Sequence, residues 1–127
     1  MAIQESERQF TGLRECLEDF QQRFNTNERA KKLVKNWDRQ IYVEPTDGGT
    51  AYTMRVEDQQ LTTIDEGGPD EDDEFLVHLQ GENAILMRIF SGEYNPSTAL
   101  LDGMVSVFSN DRDKVKLEAC ALVIWGL

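Results

Sequence analysis

The residues of this chain whose types could do chemistry are few, and their spacing limits what they can do. One histidine, His78, occurs in 127 residues. It lies in "FLVHLQ", where it alternates with Val77 and Leu79 and so points away from the side that those two bury. The expectation is an exposed histidine or one holding a single hydrogen bond. No second histidine is present to build a metal site with it. The two cysteines, Cys16 and Cys120, have no basic neighbour to activate a thiolate. They are expected to be small buried hydrophobes in a reducing compartment. Seven carboxylates crowd "DEGGPDEDDE", Asp65 to Glu74. Calcium binding is the chemistry such a run suggests, but the Asp-x-Asp-x-Asp-Gly spacing with Glu at position twelve is missing. A solvated, mobile acidic loop is the expectation. No Gly-x-Ser-x-Gly, Walker loop or dinucleotide glycine fingerprint occurs. A surface carboxylate run is also not a dyad held in a desolvated cleft. The chain therefore reads as non-enzymatic, with no cofactor and no metal expected.

The net charge is −11, and residues 41–80 carry −10 of it, against +1 for residues 1–40 and −2 for residues 81–127. Such a chain repels nucleic-acid phosphates and anionic lipid headgroups. Nucleic-acid binding and electrostatic docking to membranes are set aside on that ground. The length fits a single domain over 1–127, with residues 1–9 as a flexible start. The longest strongly apolar run, Ala119 to Leu127, is nine residues, too short to cross a bilayer, so no stable membrane insertion is expected. "MAIQESERQF" has no apolar signal core, and the chain ends in Trp-Gly-Leu rather than a peroxisomal tripeptide. These features predict a cytoplasmic protein.

The elements that would position any site follow from periodicity. Ile3, Phe10, Leu13, Leu17, Phe20 and Phe24 form one apolar stripe on a first helix of about six turns. The stripe also fits a short heptad seam, but its length favours core packing. "NTNE" then offers three N-caps, Asn25, Thr26 and Asn27, before a shorter helix carrying Ala30, Leu33, Val34 and Trp37. Alternation predicts strands in "RQIYVEP", "TAYTMRVED", "QQLTTID" and "FLVHLQ", with "TDGG", Thr46 to Gly49, as a hairpin turn. "ENAILMRIF" returns to helix, "GMVSVFS" is a fifth strand, and "NDRDKVKLEACALVIWGL" is a closing helix capped by Asn110 or Asp111. Ala121 to Trp125 are apolar all round, which predicts burial on two sides, a ligand mouth or a second subunit. Met104 and Phe108 point opposite Val105 and Val107. A homodimer is one expectation of so much apolar area.

The segment "SGEYNPSTALLDGMVSV", Ser91 to Val107, is punctuation of the backbone. Gly92 stands where a helix wants a left-handed residue, Asn95 and Pro96 start a short helix, Ala99 is its small packing residue, and Gly103 releases the chain into the fifth strand. The run Gly92-Glu-Tyr-Asn-Pro96-Ser-Thr-Ala99-Leu-Leu-Asp-Gly103 resembles the signature of the sterol carrier protein two family, the SCP lipid-transfer domain. The order of elements resembles it too, over roughly residues 10 to 120. Ser109 and Asn110 occupy a turn where the family often has glycine, and this chain is more acidic than some members.

The resemblance implies an α+β fold: a five-stranded, mostly antiparallel sheet with helices packed on one face, enclosing an apolar tunnel. It implies binding of fatty acids, acyl-CoA, sterols or similar lipids without covalent chemistry. The residues of this chain placed to line such a tunnel are Met54, Val56, Val77, Leu79, Val105 and Val107 from the sheet. Ile85, Leu86, Ile89, Phe90, Leu100, Leu101 and Leu122 would face them from the helices. Whether these groups leave a cavity or close on one another is left open by the residues themselves. The second reading is an interaction module or accessory subunit that keeps the fold and fills the cavity.

Overall fold

The computed structural model of the chain describes residues 11–69 and 76–126. Helix α1 spans Leu13–Asn25, and Leu13, Leu17, Phe20 and Phe24 form its buried stripe together with Cys16. Ile3 and Phe10 of the expected stripe lie outside the described residues. Helix α2 is one and a half turns, Glu28–Leu33, started by Asn27, whose side chain accepts the Ala30 N–H at 3.0 Å. Val34 and Trp37 fall beyond its end but remain buried, because the chain turns through Asn36 at φ 59° and folds back on the core.

Strands β1 (Arg39–Pro45) and β2 (Tyr52–Glu57) pair antiparallel, with Ile41 opposite Met54. Their turn carries Gly48 at φ 91°, a conformation that costs glycine little. Strand β3 (Gln60–Glu66) follows a two-residue turn in which Asp58 and Gln59 both have positive φ, the sign pattern that matches strand twist in tight hairpins. Asp65 and Glu66, expected in the acidic loop, instead pair with Thr53 and Tyr52 in this ladder. Residues 70–74 of that acidic run lie outside the described residues, as does Phe75.

Strand β4 (Leu76–Gly81) lies on the other side of β1 and runs parallel to it, with Val77 opposite Ile41 and Leu79 opposite Val43. Strand β5 (Val105–Phe108) closes that edge antiparallel to β4, giving the order β3-β2-β1-β4-β5. The sheet is thus mixed and mostly antiparallel. The core lies on the face of Ile41, Val43, Met54, Val56, Val77 and Leu79, all buried. Helix α3 (Asn83–Phe90) packs on β1 and β4, α4 (Pro96–Leu101) on β5, and α1 on β3. Helix α5 (Asp111–Trp125) packs on α1, α2 and α4.

The turns between α3 and β5 take the form expected. Gly92 has φ 84° just past α3, and Gly103 has φ 74° just past α4. Asn95 accepts the N–H groups of Ser97 and Thr98, and Pro96 sits in the first turn. The α5 N-cap is Asn110, which accepts the Asp113 N–H at 2.8 Å.

Candidate functional site: an apolar pocket under the closing helix

The short span of α4 leaves a gap between three helices and the β4–β5 edge. Leu79, Val105 and Val107 form its floor, Leu86, Ile89 and Phe90 of α3 one wall, Pro96 and Leu100 of α4 another. Phe20 closes the back, its ring edge-on to Phe90 at 5.2 Å between centroids. Helix α5 supplies Lys114, Leu117, Glu118 and Ala121, one stripe at offsets of three, one and three. Lys114 and Glu118 are the charged residues of a wall that is otherwise apolar. The hydroxyl of Ser97 donates to Glu118 Oε2 at 3.3 Å.

The pocket holds about 50 Å³. That is room for roughly three to five water-sized spheres, well short of the about 300 Å³ of a common ligand cavity. Among the described residues, the expected tunnel is therefore a small, partly enclosed pocket. Phe20 and Phe90 pack edge-on at its wall.

Of the residues placed to line a tunnel, Leu79, Leu86, Ile89, Phe90, Leu100, Val105 and Val107 meet in this pocket. Met54, Val56, Val77 and Ile85 are buried in the core away from its wall. Leu101 is 88% exposed and Leu122 37% exposed, both outside it. Phe20, Pro96 and the four α5 residues were absent from the sequence-based set. The α5 stripe has helical spacing that sequence shows plainly, but which side of so apolar a helix faces inward depends on what packs there.

Two polar networks lie elsewhere. On the open face of the sheet, His78 stacks on Tyr42 at 4.6 Å and 19°, and its Nε2–H donates to Glu44 Oε1, 2.8 Å away. Glu44 also accepts from Gln80 at 2.7 Å and from Tyr42 at 3.2 Å. Hydrogen bonds from Gln80, then His78 and Tyr42, hold its carboxyl below the usual carboxylate value. Burial and the Glu44 contact push the Tyr42 phenol up. His78 has one hydrogen-bond partner and no companion ligand, and no group of metal-ligating side chains forms among the described residues.

The second network is buried. Asp113, 1% exposed, accepts from Trp37 Nε1 at 2.7 Å and Arg39 Nε at 2.9 Å, with Asn110 Nδ2 at 3.2 Å. It ties the start of α5 to the α2–β1 connection, a structural role the sequence did not reveal. Cys16 and Cys120 are buried free thiols, and desolvation pushes both up to about 12.

No protein-family model and no curated protein sequence matches the chain. Solved structures do. A sterol carrier protein 2 aligns with a TM-score of 0.59 at 12% identity, over 89% of this chain and 95% of that one. Palmitated SCP2L2 from Aedes aegypti aligns at 0.57 and 15% identity, over 87% of this chain and 95% of that one. The inverting sec-alkylsulfatase Pisa1 from Pseudomonas sp. aligns at 0.56 and 15% identity, over 73% of this chain but only 14% of that one. At such identities the likeness is one of backbone fold. This chain has the fold of the sterol carrier protein 2 domains.

Proposed function

We propose that the protein binds and carries an apolar molecule of the lipid class, non-covalently, in the pocket under α5. It acts as a single domain over 1–127, without catalysis, in the cytoplasm. The observation that supports this is the pocket: an apolar wall from Leu79, Leu86, Ile89, Phe90, Leu100 and Val107, in a fold whose Aedes aegypti neighbour carries palmitate in its name. A chain buried there gains about 0.8 kcal/mol per methylene. A pocket of 50 Å³ must widen to take it.

The test is direct. Protein purified under native conditions is extracted with organic solvent, and bound lipids are identified by mass spectrometry. The empty protein is then titrated with a fluorescent fatty acid and a fluorescent acyl-CoA. Recovery of a lipid or saturable uptake supports the reading. Empty protein that takes up neither probe removes it.

The small cavity volume supports a second reading, an accessory or interaction subunit that keeps the fold with its cavity filled. Outward apolar residues of α5 then matter more than the pocket: Val115 is 64% exposed, and Leu122 stands out as well. A partner or second copy lost on Val115→Asp and Leu122→Asp, with lipid uptake absent throughout, would favour it. A monomer by analytical ultracentrifugation at high micromolar concentration would remove the homodimer.

A further inference from the structure

Helices α2 and α5 pack side by side and leave an open groove of about 510 Å³ on the surface. Leu33, Val115 and Ala119 form its apolar floor, and Val115 stands 64% exposed. Arg112, Lys116 and Asp111 edge it on α5. On α2, Arg29 precedes Leu33 by one turn and so shares its side, with exposed Lys32 next to Leu33 in the chain. Acids outnumber bases 24 to 13 in this chain, yet Arg29, Lys32, Arg112 and Lys116 form no ion pair among the described residues. Four bases against one acid make the groove locally positive on a molecule of net charge −11. An apolar floor inside a charged rim is the layout of a protein-docking surface.

We propose that this groove docks a short acidic amphipathic helix of a partner protein. Its apolar side would rest on Leu33 and Val115, and its carboxylates would meet the four bases at the rim. The charge distribution favours a short segment over an extended polyanion. A nucleic acid or an anionic membrane reaches beyond the groove and meets residues 41–80, which carry −10. A peptide confined to the groove feels chiefly the charges within a Debye length, about 8 Å at physiological salt. The groove shares no residue with the pocket, so the proposal does not depend on lipid binding. It rests on the interaction-subunit reading only in giving that reading a partner of stated chemistry.

The experiment follows fluorescence anisotropy of a labelled helical peptide of about 18 residues, built of Glu, Ala and Leu with the leucines along one side. It is titrated with wild type, Arg112→Glu, Val115→Ser and Arg55→Glu at low and at physiological salt. Arg55 lies on β2, away from the groove, so its variant makes the same change of net charge elsewhere. Circular dichroism checks that each variant is folded. Wild type is expected to bind saturably, and more weakly as salt rises. Arg112→Glu should weaken binding at least about fivefold. Val115→Ser should weaken it at least about threefold, and Arg55→Glu by less than about twofold. No saturable binding by wild type overturns the docking proposal, while a partner lost from pull-down on Leu122→Asp alone would still uphold the interaction-subunit reading. An equal loss on Arg55→Glu and Arg112→Glu also overturns it, because net charge and not the groove would then be responsible. Phosphatidylserine vesicles or single-stranded DNA bound more tightly than the peptide, and released by Arg112→Glu, would overturn the choice of partner.

Discussion

Asp113 and Glu44 are both carboxylates that gather several donors, and burial separates what they do. Asp113 is sealed in, so removing it strands the Trp37 N–H and takes one acceptor from the Arg39 guanidinium. Asp113→Ala is expected to cost about 3 kcal/mol in urea unfolding, the scale for breaking a buried pair. Glu44 is about a third exposed, and its effect shows as pH dependence. Its folded-state value lies below the ordinary 4.5, so its contribution is present above that value and fades as pH falls through the lowered one. Thermal unfolding of Glu44→Gln should therefore occur below wild type at pH 7, and the gap should shrink as pH falls below the ordinary carboxylate range. His78 was legible as a residue off the core face, because alternation in a strand is rigid. Its partner was not, because Glu44 lies 34 residues away on a parallel neighbour, and only the β1–β4 register, with Tyr42 opposite His78 and Glu44 opposite Gln80, brings them within reach.

Among the elements, the α3–β5 connection is the one whose sequence and structure agree most closely. Gly92, Asn95, Pro96 and Gly103 each satisfy a purely local rule, so no tertiary contact is needed to place them. Asn95→Ala removes the acceptor for two N–H groups at the start of α4 and should cost about 1 kcal/mol, measured by urea unfolding. Since α4 forms one wall of the pocket, the same variant should also speed release of a bound fluorescent lipid in stopped-flow displacement. Elements whose ends depend on distant partners were less legible. Helix α2 stops at Leu33 although apolar spacing continues to Trp37, because Trp37 is claimed by Asp113 far along the chain. Asp65 and Glu66 look like loop residues but extend a hairpin whose register is set by Leu61 and Ile64 entering the core.

For the whole molecule, the question is how much space the core leaves. Ala121 lies at the pocket and is 9% exposed. Ala121→Val should fill part of the 50 Å³ at a cost in stability of about 1–3 kcal/mol. Uptake of the fluorescent acyl probe should fall at least about tenfold; unchanged uptake in a folded variant would place the ligand elsewhere. The charge of −11 acts at the same scale, and raising salt should weaken its repulsion of anionic vesicles without affecting a ligand already enclosed.

By itself the sequence determined the order of helices and strands, the buried stripe of α1, the core side of the sheet and the turns around α4. Each depends on residues within a turn or two of one another, through periodicity, capping or the φ freedom of glycine. Only the tertiary structure decided which side of α5 faces inward, that Lys114 and Glu118 stand in an apolar wall, that Leu101 points outward, and that the space between sheet and helices is small. Those outcomes depend on how rings such as Phe20 and Phe90 interlock across elements distant in the chain. Close packing permits many fillings of the same apolar pattern.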